Sequence, residues 1–259
     1  MRHAAKGKGG IDIFPPGRYH RLETIRQSKE RDIMFQGYSG ATLDFMWGIR
    51  LNNDRAWFQA HKQDYLDHLY QPTADLGRQV YDRMLEKYPK LDADLHISRI
   101  YRDARRLHGR GPYKDHLWFT IRPERDLWTQ QPVFWFEVAP EGWSCGVGFW
   151  NASPAMMAAM RRDMEKDPKR LEKLARRLSR QDVFTLQGPD YAKPKGTPPS
   201  PLLAPWYSKK SLSIGCDRPF DDLLCSPALA DFLTEGYDFL MPYYRYLAAF
   251  CKAGLEDLK

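Results

Sequence analysis

The chain has 259 residues, with 40 Lys and Arg against 33 Asp and Glu, a formal charge of +7. Hydrophobic residues at 42% and aromatic residues at 14% exclude general disorder, while no window holds the roughly 18 uninterrupted apolar residues of a membrane helix and the first 30 residues lack the apolar centre of a secretory signal. The expectation is a cytoplasmic protein with no membrane partner, and its four cysteines, Cys145, Cys216, Cys225 and Cys251, form no C-x-x-C pair and read as reduced thiols.

Residues 1–33 carry 8 basic and 4 acidic side chains, with Gly9-Gly10 and Pro15-Pro16 as breakers, and read as a basic flexible tail ahead of a single globular domain over 34–259. Leu43, Phe45, Met46, Ile49 and Leu51 then recur at near-helical spacing after Ser39 or Thr42 as a cap, and stop at Asn52-Asn53. Asn53 is the expected cap of a second helix carrying Trp57, Phe58, His61, Tyr65, Leu66 and Leu69, with Pro72 interrupting or restarting it. Leu76, Val80, Met84, Leu85 and Tyr88 mark a third helix, ended at Pro89.

Residues 115–122, 132–139 and 143–149 are short, aromatic and β-branched, and the Pro140-Glu141-Gly142 break suits a hairpin. Ser153-Pro154 is a cap followed by proline at the first helical position, and Met156, Met157, Met160 and Met164 continue at helical spacing as packing material. A further helix is predicted from Pro168 to Arg180 on Leu171, Leu174 and Leu178, within a run (161–180) of 9 basic and 4 acidic residues that reads as a solvated face. A proline-rich loop over 187–206, a strand near 211–214 and an apolar helix from about Ser226 to Cys251, interrupted at Met241-Pro242, complete the chain. The fold class is therefore α+β: a central antiparallel sheet over about residues 96–149, joined by a strand near 211–214, packed against N-terminal and C-terminal helices.

Residues 96–116, HISRIYRDARRLHGRGPYKDH, are the most unusual stretch, and 99–114 holds 6 basic residues against 1 acidic. If its first half is extended, Ile97, Arg99, Tyr101 and Asp103 face one way and His96, Ser98, Ile100 and Arg102 the other, so neither face is plainly apolar. Guanidinium forks match phosphate and carboxylate oxygens, and glycines let backbone amides approach an anion. The functional expectation is a small anionic ligand, phosphate- or carboxylate-bearing, bound by Arg99, Arg102, Arg105 and Lys114 with Tyr101 and Tyr113 lining the pocket. Asp103 would orient a guanidinium or act as acid or base, with His96 or His116 as proton partner. The structural alternative makes Arg99 and Asp103 members of an internal ion-pair network that anchors the strand, with the loop arginines solvated.

The chain resembles the uncharacterised family catalogued as domain of unknown function 2461. The resemblance rests on Phe35, Gly37 and Tyr38, the Asn52-Asn53 break, Trp57-Phe58 with Tyr65 and Pro72, and most specifically on Arg99-Ile100-Tyr101-Arg102-Asp103, Arg105 and Pro112-Tyr113-Lys114. Gly146, Gly148, Arg161, Lys209 to Leu212 and Pro242 fit as well. Where relatives tend to have Phe-Ser-Lys-Asp-Lys, this chain has Arg106-Leu107-His108-Gly109-Arg110-Gly111, and the resemblance implies no activity.

Other candidates weigh less. His61, His68 and Asp64 lack the tight spacing of a metal set, so neither metal nor cofactor is expected. Cys145 reads as a buried inert thiol, and no nucleotide-binding glycine fingerprint is present. Trp118, Trp128, Trp135, Trp143 and Trp150 cluster around the predicted sheet, where they read chiefly as packing. Two further functions stay open: a nucleic-acid-associated module using residues 1–33 and the 161–180 helix, and a non-catalytic interaction scaffold.

Overall fold

The computed structural model describes residues 34–103, 105, 109, 111–123 and 128–251. The segment 1–33, read above as a tail, lies outside the described residues, as do Arg106, Leu107, His108 and Arg110 of the basic loop.

Helix α1, Gly40–Leu51, buries Phe45, Met46 and Ile49. At its start Thr42 Oγ1 accepts a hydrogen bond from the Ser39 amide at 3.1 Å, so both cap candidates take part. Helix α2, Arg55–Ala60, begins one residue later than the sequence suggests. Asp54, not Asn53, is its cap, accepting from the Trp57 amide at 2.9 Å, because the Asn53 carboxamide is engaged elsewhere. Next come α3, Lys62–Tyr65, a π-helical turn, Leu66–Tyr70, and α4, Gln71–Lys87. Pro72 sits in the first turn of α4 and lacks the amide that would otherwise serve the carbonyl of His68. That carbonyl instead accepts from the Thr42 hydroxyl at 2.6 Å, which ties the proline-bearing helix to α1.

Among the described residues six strands run antiparallel to their neighbours: β1, Asp94–Ile97; β2, Leu117–Arg122; β3, Pro132–Ala139; β4, Gly142–Phe149; β5, Thr185–Gln187; and β6, Ser213–Arg218. Their order across the sheet is β1-β2-β3-β4-β6-β5. The α+β class holds, and the sheet is wider than 96–149. Strand β6 runs on to Arg218, and the three-residue β5, in a stretch with no sequence signal for a strand, covers its far edge. The β3–β4 hairpin turns at Gly142, whose φ of 153° and close approach to the Arg218 carbonyl leave no room for a side chain.

Helices α5, Pro154–Lys166, and α6, Pro168–Leu178, each carry proline in their first turn, and Ser153 caps α5 by accepting from the Met156 amide at 3.3 Å. The short α7, Ala204–Tyr207, precedes β6. Helix α8, Ala228–Ala248, continues through Pro242, against the expected interruption. One lost amide bond is outweighed there by burial of Tyr243, Tyr246 and Leu247 beyond the proline, and the Tyr243 hydroxyl donates to the Leu174 carbonyl at 2.9 Å.

Alternation along the strands decides which side chains enter the core. Leu117, Phe119 and Ile121 of β2, Phe134, Phe136 and Val138 of β3, and Trp143, Cys145 and Val147 of β4 are all buried. Helix α4 lies close on this face at Gly77, where a Cβ would stand 3.2 Å from Leu95 and 3.4 Å from Phe119. Helix α8 is fixed by Tyr237, which packs 5.0 Å from the Phe134 ring and donates its hydroxyl to the Trp135 carbonyl at 2.7 Å. Among the described residues no helix is long and apolar enough to cross a membrane, and all four cysteines are free thiols.

Candidate functional site

The basic motif folds back on itself beside the edge of the sheet. Tyr101 and Tyr113 form an isolated antiparallel bridge, with Arg102 N donating to Pro112 O at 2.8 Å and Lys114 N to Ile100 O at 2.7 Å. Asn53 clamps the returning arm: its Nδ2 donates to Tyr113 O and its Oδ1 accepts from Tyr113 N, both at 2.9 Å. The clamp lies directly over Gly111, where a Cβ would collide with the Asn53 side chain. A residue expected to cap a helix thus sets the geometry of the motif.

Each predicted site residue has a definite place. Arg102 is half-buried, its Nε donating to Tyr113 O at 2.7 Å and its Nη2 lying 3.7 Å from Asp115. Asp115 also accepts from Arg50 Nε at 2.6 Å and meets His116 Nδ1 at 2.9 Å. The His116 hydrogen bond, against opposing burial, and that from Arg50 hold the Asp115 carboxyl well below the usual carboxylate range. Arg50 in turn grips Glu141 at the hairpin. An internal ion-pair network exists, as the structural alternative expects, but Arg50, Arg102 and Asp115 compose it in place of Arg99 and Asp103.

Arg105 and Asp103 pair locally, Nη2 to Oδ2 at 2.9 Å, with the Arg105 side chain 88% exposed. Arg99 is exposed. Tyr113 is buried, its ring stacked 4.3 Å from Phe58, whereas Tyr101 is exposed and meets the same Phe58 edge-on at 5.9 Å. Lys114 is half-buried with its Nζ 5.5 Å above the Trp118 ring. Burial pushes its pKa down to about 8. Glu137 opposes that shift, while Arg102 and Arg99 add to it.

The charges of Arg99 and Arg102 thus reach Lys114, whereas Arg105 pairs with Asp103. Among the described residues the side chains of Lys114 and Glu137 make no hydrogen bond or ion pair, although each feels the other's charge. Burial raises the Glu137 carboxyl above its ordinary range, against the attraction of His116 and Lys114.

Glu137 opens onto a feature that composition alone conceals. Trp118, Thr120, Trp135, Glu137 and Gly148 occupy the strand positions that alternate with the core residues, and with Val133, Phe149, Trp150 and Ser213 they line a trough of about 230 Å³. The Trp135 ring leans across β4 and β6, where a Cβ at Gly146 or Gly215 would stand 2.7 or 3.1 Å from its Cζ2. Trp143 is buried, Trp118 and Trp135 are half-buried, and Trp150 is 69% exposed. Packing therefore accounts for only part of that cluster. Glu137, the single charge in a strand reading PVFWFEVA, was the available sequence signal for the trough.

The second basic run occupies another surface. Arg170, Lys173, Arg176, Arg177 and Arg180, together with Arg245 of α8, line a groove of about 1050 Å³ whose apolar walls include Phe239 and Tyr246. Arg177 lies 4.3 Å over the Phe239 ring and Arg170 5.0 Å over Tyr246. Elsewhere His61 stacks on Trp57 at 3.9 Å, and among the described residues no group of three or more His, Cys, Asp or Glu is placed to hold a metal.

A family model described as "Conserved hypothetical protein (DUF2461)" matches residues 41–246, most of the chain and all of the motif and trough. No curated protein matches the chain.

Proposed function

The chain belongs to the DUF2461 family, and from the geometry above we propose that it binds a small phosphate- or carboxylate-bearing anion at Lys114, Arg99 and Arg102. The observation that carries this reading is the state of Lys114. A half-buried ammonium with no ion-pair partner among the described residues is crowded by two guanidinium groups, and an anion between them relieves both burial and repulsion. Asp115 does not fill that role, because Arg50 and His116 already hold it. Arg105 is engaged by Asp103, Tyr101 offers an exposed ring, and Tyr113 serves as a buried anchor through its backbone. Should proton transfer accompany binding, Glu137 is better suited than Asp103, since its carboxyl is raised and unpaired among the described residues while Asp103 is bound to Arg105.

Thermal unfolding in inorganic phosphate, against chloride at matched ionic strength, tests the reading. The wild type should be stabilised by phosphate, and Arg99→Ala and Lys114→Met should remove the shift while leaving the midpoint in chloride at least as high. An unmodified chain indifferent to phosphate would rule the site out.

The groove between α6 and α8 supports a second reading, contact with nucleic-acid phosphates. Six cations around one concave surface are the electrostatic footprint of such a partner. Affinity for a duplex should fall with salt at a log-log slope of about −0.9 per phosphate neutralised, and the double variant Arg177→Glu, Arg245→Glu should abolish it. A salt-independent signal counts against this reading.

A further inference from the structure

The trough beside Lys114 contains polar groups that the protein leaves unmatched. Thr120 is 5% exposed, lines the trough, and its hydroxyl has no hydrogen-bond partner. Glu137 lines the same trough half-buried, with no hydrogen-bond partner for its carboxylate among the described residues. Buried polar groups in folded proteins are almost always satisfied, so the Thr120 hydroxyl, with the Glu137 carboxylate lining the same trough, points to a missing partner. Around them the surface is aromatic: Trp118 lies two residues before Thr120 on β2, Trp135 of β3 pairs with Thr120, and Trp150 and Phe149 also line the trough.

We propose that this trough is the ring-binding half of the anion site, and that the ligand is an anionic monosaccharide, a hydroxylated ring carrying one phosphate or carboxylate. The proposal rests on the anion-binding reading above and names the class of ligand. Four features select that class. A volume of about 230 Å³ lies below the roughly 300–1,000 Å³ of pockets for drug-sized ligands, and so suits a single ring. An ionised carboxylate only accepts hydrogen bonds, so Glu137 requires a donor on the ligand. That donor is a hydroxyl and not an ammonium, because Lys114 repels a second cation. A plain aromatic ring would match the tryptophans but strand Thr120 and Glu137, whereas a sugar lays its C–H face on Trp118 or Trp135 and turns hydroxyls to both polar groups. The phosphate or carboxylate then falls at Lys114, whose Nζ lies over the Trp118 ring that walls the trough.

Calorimetric titration of the full chain separates the parts. The probes are inorganic phosphate, phenyl phosphate, glucose 6-phosphate, ribose 5-phosphate and glucuronate. At least one of the three anionic sugars should bind tenfold or more tighter than both inorganic phosphate and phenyl phosphate. Thr120→Val and Glu137→Leu should each erase that margin, and Glu137→Leu should also strengthen inorganic phosphate by removing a carboxylate whose charge reaches Lys114, while Lys114→Met should weaken all five. Thr120→Val removes a hydroxyl without an internal partner and replaces it isosterically, so its thermal midpoint should not fall. If phosphate binds and no sugar exceeds it, or if phenyl phosphate binds as tightly as the best sugar, the ring proposal is overturned and the anion reading stands. If none of the five binds, both fail.

Discussion

The two faces of the central sheet follow the same alternation and end in opposite states. On the face toward α4 and α8, Phe119 and Phe136 stack at 5.4 Å and are fully buried, as is the row of aliphatic residues beside them. On the other, Trp118 and Trp135 remain half-buried around Thr120 and Glu137, and the glycines of β4 and β6 leave room for the Trp135 ring to lie down. The first face is a finished core. The second keeps an unpaired hydroxyl and a raised carboxylate beside large apolar rings, an arrangement that costs stability and is explained by a ligand more readily than by packing.

The sharpest way to break this contrast is to truncate one aromatic residue on each face. Phe119→Ala should lose about 3–5 kcal/mol, the range for deleting a fully buried aromatic side chain. Trp118→Ala, although it removes more atoms, should lose less than half of that in urea unfolding, because its ring is already partly in water. Equal losses would mean that the outer face is a second core, and the trough would lose its claim to a ligand.

Smaller in effect, and located at the boundary between the two faces, is the ion-pair network. Asp115→Ala leaves Arg50 and Arg102 without their shared carboxylate, and the side chain is only 15% exposed, so a loss of about 2–3 kcal/mol at pH 7 is expected, somewhat under the range for fully buried pairs. The pH dependence has a definite sign. The folded carboxyl lies below its ordinary value of about 3.9, so the unfolded chain binds the proton more readily. The stabilisation is complete above the ordinary value and is lost as pH falls through the folded one. Acid unfolding of the variant should be flatter over that range than that of the wild type, which midpoints measured across a pH series would reveal.

The same boundary separates what was legible in the sequence from what was not. Periodicity places α1, α4, α5 and α6 and the three central strands, because each buries a face that its own residues mark. The expected break at Pro242 does not occur because tertiary burial of Tyr243 and Tyr246 overrides a local signal. Asn53 to Tyr113 and Arg50 to Asp115 join residues 60 and 65 positions apart, and no local pattern encodes such pairs. The trough escapes notice for a different reason. Its walls are tryptophans, which read as core in any strand, and only the isolated Glu137 in β3 betrays that the outer positions face a polar task. The basic motif was visible as a charge cluster, yet the sequence ranks Arg105 with Lys114, whereas folding sends one into a local pair with Asp103 and the other into a half-buried position over Trp118.

The smallest expected effect carries the most information about the outer face. Lys114→Met replaces an ammonium that burial holds down to about 8 with an apolar chain of similar length. Because the folded value lies below the ordinary one of about 10.4, the unfolded chain binds more protons between the two, and wild-type stability rises with pH across that window. The variant should lose this rise and should gain about 1 kcal/mol at pH 7, a stabilisation typical of relieving a functional site. Glu137→Gln should act in the same direction: its folded carboxyl is raised, so ionising it as pH climbs above about 4.3 destabilises the wild type but not the variant. The double variant should gain more than the sum of the singles by the attraction between the two charges. Singles that each gain stability mark two burial costs, whereas singles that each lose stability, with a double variant close to the wild type, mark a fold that depends on their pairing. Chemical denaturation of the four proteins at pH 7 and pH 9.5 distinguishes a site held ready for a ligand from a weak internal salt link.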